Sequence, residues 1–402
     1  MNILCVFGRH NYGDPSRGEG YEYSNFMPAL RALGHDVHHF ESWDRSAQAD
    51  FAALNTALLD RLDALRPDLV FCVLMGYEIW SETLQTLRDA GLPVLNWGTD
   101  DSWKYSQFSR FVAPEVSLWA TTSHDAFDAA RADGLAMFRL SQWAASGTRT
   151  REPLASADCE HDVSFIGSAY GNRGRWVERL RQRGLPVACF GQGWPSGPVA
   201  AERIPELYRS SRISLNFGDS GLQWRGFRPY RSRQIKARVF EVPAAGGCLM
   251  TEVADRLDAY YACGSEIETF TDESDLVERA RALLADPARR DAMAWAGYRR
   301  TMAEHLYESR FQPLLEECAA TSHATVWPID RTRFLQAVAG HRSGLALRAL
   351  RGLMVRPLQW LWGERRGERA ARRLLFELSW RLCGAATYRA AGLPGRLFYR
   401  AS

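Results

Sequence analysis

The chain has 402 residues, 46% hydrophobic and 24% charged, an ordinary globular composition long enough for two domains. Its net charge of +3 excludes a nucleic-acid binder on charge alone. The charge is uneven, however: from Arg331 onward there are fifteen arginines, no lysine and three acids, about +12, which leaves the first 330 residues near −9.

In chain order, "NILCVFG" is a continuous apolar run ended by Gly, the pattern of a buried strand in a parallel sheet. A polar, Gly-rich loop follows ("RHNYGDPSRGEG"), then a helix closing at Gly34 and a strand, "HDVHHFE". Strand, loop, helix and strand make the right-handed crossover unit of an α/β sheet. The alternation continues through a helix and a strand starting near Leu69, through "SETLQTLRDAGLPVLNWG", and through "VSLWATTS" and "AFDAARADGLAMFRLS". This predicts one open, mostly parallel domain over residues 1–150.

The polar, Pro-containing "SGTRTREPLASADCEHD" reads as a linker. A second alternation then predicts a domain over 155–320. Its strands are "DVSFIGS", "LPVACFG", "RISLNFG" and "GCLMTE", and a long helical stretch ends it, broken at Pro287. Two doubly wound domains facing a cleft are the expected fold class, α/β. Residues 321–402 pair Arg with Leu, Trp and Phe at helical spacing, which predicts two or three basic amphipathic helices. Such a tail either docks on an anionic membrane surface or packs on the globule with its arginine stems lying along apolar surface. No nucleic-acid motif accompanies the charge.

No stretch approaches the ~20 apolar residues of a membrane span. "MNILCVFG" is too short for a secretory core and has no Lys or Arg ahead of it. The eight cysteines form no CxxC pair, and Cys5, Cys72 and Cys189 fall in strand-like runs, as reduced thiols of a cytoplasmic protein would.

Ligands of doubly wound sheets bind at the carboxyl ends of strands, which ranks the loops after Gly8, Asn96, Gly167, Phe190 and Asn216 first. Gly167, Ser168 and Gly171 stand between a strand and a helix carrying Arg173, a place where backbone N–H groups approach a phosphate. An ordinary strand-to-helix turn has the same composition. Gly193 and Trp194 in "CFGQGWPSG" form a tight turn whose ring either stacks on a base or packs inward. After Asn216 a long loop carries Arg231 and Arg233 toward a helix starting near Gln234, with Lys236 and Arg238 at its head, an anion site by composition. Glu241 lies about two turns into that helix, between Phe240 and Val242. A carboxylate there needs partners: either the hydroxyls of a ribose, or a salt bridge to Arg233 or Arg238.

In the first domain, Gly18 and Gly20 allow close approach of a ligand, and His10, Glu19 and Glu22 face the same edge. Asp100 and Asp101 follow a strand, and since adjacent residues of an extended segment point opposite ways, one of them faces the edge. Asp100 is either a general base or a helix cap. Ser123 or Asp125 reads as a cap, and His305 as structural.

The segment "RVFEVPAAGGCLMTE", with its R-x-F-E-x-x-A-x-G-G pattern, is followed by Leu-Ala-Asp-Pro, Ala-Gly-Tyr, and His305 ahead of Tyr307 and Arg310. Together with "RGEGYEYSNFMPALRALGHDV" and "NWGTDDSW", these features resemble CgeB-like spore-maturation glycosyltransferases, relatives of the family 4 glycosyltransferases, over about residues 1–315. The resemblance implies a GT-B-like enzyme with a nucleoside-diphosphate sugar held by its C-terminal domain and no metal cofactor. By position, it implies that Glu241 binds the ribose. The second glutamate usual in family 4, eight residues earlier, is here Arg233. The expectation is transfer of a sugar to a hydroxyl of a glycan, lipid-linked or protein acceptor, with Asp100, Glu19 or His10 handling the proton. A sugar-nucleotide epimerase and a non-catalytic, membrane-recruited nucleotide-binding scaffold are the alternatives.

Overall fold

A computed structural model describes the chain except residues 226–227, 322–323, 342–343 and 401–402, and for 219–232 it describes the backbone alone. The chain forms two compact units, Met1–Gln142 with Phe311–Ser402, and Trp143–Arg310.

The first unit begins with β1 (Asn2–Phe7), α1 (Tyr21–Ala32), β2 (Asp36–Glu41), α2 (Phe51–Leu65), β3 (Leu69–Cys72) and α3 (Ser81–Asp89). It continues through β4 (Val94–Gly98), α4 (Asp101–Lys104), α5 (Arg110–Val112), β5 (Leu118–Thr121), α6 (His124–Ala132) and β6 (Phe138–Leu140). Among the described residues these strands form a parallel six-stranded sheet in the order β2-β1-β3-β4-β5-β6. β3 and β4 are buried along their whole length, which explains the unbroken apolar run of β3, while in β4 the buried Asn96 accepts from the Leu74 amide. Helix starts are set by local chemistry: Asp50 caps α2 through the amide of Ala53, and Ser123 caps α6 through that of Ala126. The winding direction reverses between β1 and β3, so the loops leaving their carboxyl ends diverge there.

The second unit contains β7 (His161–Ile166), α7 (Arg173–Gln182), β8 (Ala188–Phe190), α8 (Ile204–Arg209), β9 (Ser211–Asn216), β10 (Asp219–Arg225) and β11 (Arg228–Arg233). It ends with α9 (Arg238–Ala244), β12 (Leu249–Glu252), β13 (Glu268–Phe270), α10 (Glu273–Ala285) and α11 (Pro287–Glu304). Its parallel sheet runs β13-β12-β9-β7-β8, with the reversal between β7 and β9. One face packs Phe165, Ile213 and Leu215 under α10 and α11, and the other packs Ile166 and Leu249 with Val239 and Phe240 of α9. Arg290 is fully buried and donates to the carbonyls of Leu154, Ser211 and Arg212 at 2.7–2.8 Å, tying α11 to β9 and to the segment entering the unit.

The stretch after Asn216 differs from expectation. It is not a loop but an antiparallel hairpin, β10–β11, and the next helix begins at Arg238 rather than near Gln234. Arg, Pro and Gly dominate this run and hide the alternation of a strand. A two-stranded ribbon also leaves one edge of each strand unpaired, which accommodates Pro229. β13 has three residues, too few for periodicity to reveal.

α12 (Tyr307–Ala320) leads back into the first unit, where α13 (Thr332–Gly340), α14 (Leu345–Trp362), α15 (Glu364–Cys383) and α16 (Leu393–Leu397) follow. Phe311 meets Phe26, Phe71 and Trp97 edge-on at centroid distances of 5.1–5.3 Å. Phe334 lies against Trp80, Tyr388 against Phe108, and Tyr399 against Phe51. Much of the region read as a separate tail therefore completes the first unit's core.

Candidate functional site

In the second unit the reversal point brings together the ends of β7 and β9. Gly167 follows β7, and a Cβ on it would lie 2.6 Å from Nη2 of Arg238, so only glycine leaves that guanidinium where it is. Arg238 donates to Tyr208 Oη and Asn216 Oδ1, both at 3.2 Å, while Asn216 Nδ2 donates to Thr251 Oγ1. Arg173, at the start of α7, is 8% exposed. It donates to the Ser168 carbonyl (2.9 Å) and to Tyr170 Oη (3.2 Å) and stacks on the Tyr170 ring. Both guanidinium groups lie over the Phe165 ring, 5.2 and 5.3 Å from its centroid. Burial, and then the charge of Arg238, hold Arg173 below the usual arginine range. Two cations crowd one spot, and the hydrogen-bond partners of Arg173 among the described residues are neutral. An anion there would relieve both burial and repulsion.

Glu241 lies in the first turn of α9, one turn beyond Arg238, and is half-buried. Its charge acts on both Arg238 and Tyr208. Because α9 starts four residues later than expected, the acid stands beside the arginine rather than deeper in the helix. Arg233 points elsewhere: its Nε is 3.1 Å from Glu252 Oε1 and its Nη2 donates to the Thr271 carbonyl. Lys236 Nζ donates to Gln234 Oε1 at 2.8 Å. The side chain of Arg231 lies outside the described residues. Gly193 turns the chain after β8, and Trp194 donates from Nε1 to the Gly167 carbonyl at 2.7 Å with its ring against Phe165. That bond ties Trp194 to the Gly167 turn.

In the first unit, Gly18 and Gly20 belong to the loop after β1, where Gly20 donates to the Arg9 carbonyl at 2.7 Å. His10 and Glu19 pair through their backbones, and the exposed Glu19 carboxylate is 3.5 Å from Arg9. Glu22, at the start of α1, is by contrast 8% exposed. Burial, with the neighbouring Asp100 carboxylate adding and Lys104 opposing, pushes Glu22 up to about 7. Asp100 precedes α4 but makes no side-chain cap, and its Oδ2 is 4.0 Å from Lys104 Nζ. Asp101 is buried, accepting from Trp119 Nε1 at 2.9 Å and from Ser109, so of the adjacent pair only Asp100 keeps an open aspect. Lys104 is itself buried, donates to the Met75 carbonyl at 2.9 Å, and is pushed down by burial against the pull of Asp100, Glu78, Asp101 and Glu22. Glu22, Asp100 and Lys104 thus meet at the carboxyl edge of the sheet.

His305 is structural. Nε2 bonds the Tyr260 carbonyl at 2.8 Å, Nδ1 meets Arg310 at 3.0 Å, and the ring packs on Phe240 and Tyr261. The sequence reading missed Lys104, Tyr208 and Glu252. For Lys104 the available signal was its i+4 spacing from Asp100 at a helix start. Glu252 accepts from the Gly218 amide as well as pairing with Arg233, and so fastens the base of the hairpin.

A family model described as glycosyl transferase-like matches residues 173–316. No curated relative matches the chain by sequence. In structure the chain is similar to Anabaena HepE in complex with UDP and glucose, with a TM-score of 0.55, 9% identity, and 80% of this chain and 100% of that one covered. It is similar to a glycosyltransferase from Rickettsia africae, with a TM-score of 0.53, 10% identity, and 80% and 98% covered. Sucrose-phosphate synthase from Thermosynechococcus elongatus gives 0.52, 12%, and 80% and 100%. The fold is that of the GT-B glycosyltransferases, two doubly wound α/β units with a helical C-terminal extension, and the second unit carries a glycosyl transferase-like domain.

Proposed function

We propose that the protein is a glycosyltransferase that moves a sugar from a nucleoside diphosphate to a hydroxyl of a glycan, lipid-linked or protein acceptor. The observation that carries this reading is Arg173, a nearly buried cation whose hydrogen-bond partners among the described residues are neutral, crowded against Arg238 at the reversal point of the second sheet. The two arginines receive the diphosphate and stabilise the charge that develops on it as its bond to the sugar breaks. Glu241, one turn away, takes the ribose hydroxyls. HepE, similar in fold, is described with UDP and glucose bound, which supports a uridine donor. The narrower likeness to CgeB-like and family 4 enzymes rests on the sequence motifs.

On the acceptor side Glu22 is the better proton acceptor. A group titrating near 7 is poised to take a proton at neutral pH, while exposed Glu19 is paired with Arg9. Burial raises the Glu22 carboxyl first, with the Asp100 carboxylate adding and Lys104 opposing. Arg233, at the position of the second family 4 glutamate, is held by Glu252 and the Thr271 carbonyl. A base on the acceptor fits inversion at the anomeric carbon.

The test is a thermal-shift panel of nucleoside diphosphates on the parent, Arg173→Ala, Glu241→Ala and Gly167→Ala, followed by product analysis with the preferred nucleotide sugar. One nucleotide should raise the melting temperature of the parent, by about 2.7 kcal/mol of stabilisation at a hundredfold excess over Kd. Each substitution should weaken binding by about 10- to 100-fold. A parent indifferent to every nucleotide would overturn the donor site. Donor turnover without acceptor would point to an epimerase, and tight binding without any turnover to a scaffold.

A further inference from the structure

We propose that the α14–α15 hairpin docks the protein on an anionic lipid bilayer. α14 has two apolar faces. Val355, with Leu347, Met354 and Leu358, turns inward and packs with Ala371 and Leu375 of α15 and with Leu397. An adjoining face carries Leu350, Leu353, Trp360 and Leu361, and Leu353 and Trp360 are 75% and 86% exposed. Steps of three, seven and one residues put these four on a single stripe.

α15 repeats the arrangement. Gly367, Ala371, Leu375 and Ser379 form its buried line, while Leu374, Leu378 and Leu382 stay open, Leu382 at 81%. A side chain at Gly367 would strike the backbone of Leu358 and Gln359, so the helices touch backbone to backbone and the hairpin is a firm plate. An ion pair from Arg351 to Glu368 and a hydrogen bond from Arg351 to the Leu397 carbonyl fasten it further.

Charge selects what covers this plate. Residues 345–383 hold nine arginines and no lysine against three glutamates. Arg348, Arg356, Arg365, Arg366, Arg369 and Arg373 are all exposed. A second copy of the chain would bring arginine against arginine, and a nucleic acid would leave the leucines in water. A bilayer with anionic headgroups meets both demands: its acyl boundary takes Leu353 and Trp360, and its phosphates take the arginines. Among the described residues no helix is long and apolar enough to cross a membrane, so the contact is with the surface.

The experiment is flotation of the full chain with vesicles of phosphatidylcholine alone or mixed with phosphatidylglycerol, with tryptophan emission read in parallel. The parent should float with the anionic vesicles, shift its emission to the blue, and release as salt rises. Leu353→Glu combined with Trp360→Glu should weaken binding by about tenfold or more, while the melting temperature stays at the parental value because both side chains are exposed. Arg356→Ser combined with Arg369→Ser should reduce the preference for anionic over neutral vesicles. The proposal fails if the parent ignores anionic vesicles or if both variants bind like the parent. It also fails if light scattering shows that the plate is covered in a dimer which the Glu variant dissociates.

Discussion

A carboxyl group that titrates at about 7 behaves differently from one at 4.5, and Glu22 owes the difference to its burial and to Asp100. Its base form is present above pH 7, so kcat/KM should fall about tenfold per unit as pH drops below that value. Glu22→Gln should remove this limb and lower kcat by about 10²- to 10⁴-fold, with nucleotide binding unchanged. Stability carries the opposite sign. The folded state holds its proton between 4.5 and about 7 while the unfolded chain loses it, so the contribution is full below 4.5 and lost as pH rises to about 7. Glu22→Gln should therefore be more stable than the parent at pH 8 by up to about 3 kcal/mol, read from urea unfolding at pH 5 and pH 8. The position of this acid after a glycine loop was legible in the sequence. Its burial and charged neighbours were not, because Asp100 and Lys104 come to the same edge from the segment after β4, far along the chain.

Elements show a similar division. The Leu-Ala-Asp-Pro break was readable because Asp286 caps α11 and Pro287 opens it. Which of the next two arginines would be buried was not, since Arg289 and Arg290 look alike in sequence. Arg289 reaches Glu268 with its side chain still 43% exposed, whereas Arg290 is enclosed and satisfies three carbonyls. Arg290→Met keeps much of the volume and leaves those carbonyls unpaired, with an expected loss of about 3 kcal/mol in chemical denaturation. Arg290→Lys should recover little, because one ammonium cannot fork to the carbonyls of Leu154, Ser211 and Arg212. The β10–β11 hairpin escaped sequence reading for another reason. Its composition is that of a phosphate-binding loop, and only its ladder makes it a pair of strands.

At the scale of the whole molecule, periodicity revealed that the C-terminal helices have apolar faces but not what those faces meet. Residues 321–402 read as an appendage, yet Phe334, Tyr388 and Tyr399 are buried in the first unit's core while the outer stripe of α14 stays in the open. One segment thus finishes a domain and presents a surface, and truncation separates the two roles. A chain ended after residue 330 loses three buried aromatics worth about 2 kcal/mol each, or about 6 kcal/mol of a domain stability that is typically 5–15. Its first unit should bind ANS and lose its cooperative transition in calorimetry. The transition of Trp143–Arg310, the unit that carries the proposed donor site, should persist and still respond to nucleoside diphosphate. If the shortened chain melted like the parent in both transitions, the segment would be an appendage after all. The Leu353 and Trp360 substitutions would then still decide whether it meets lipid, since they alter the outer stripe and leave the core aromatics in place.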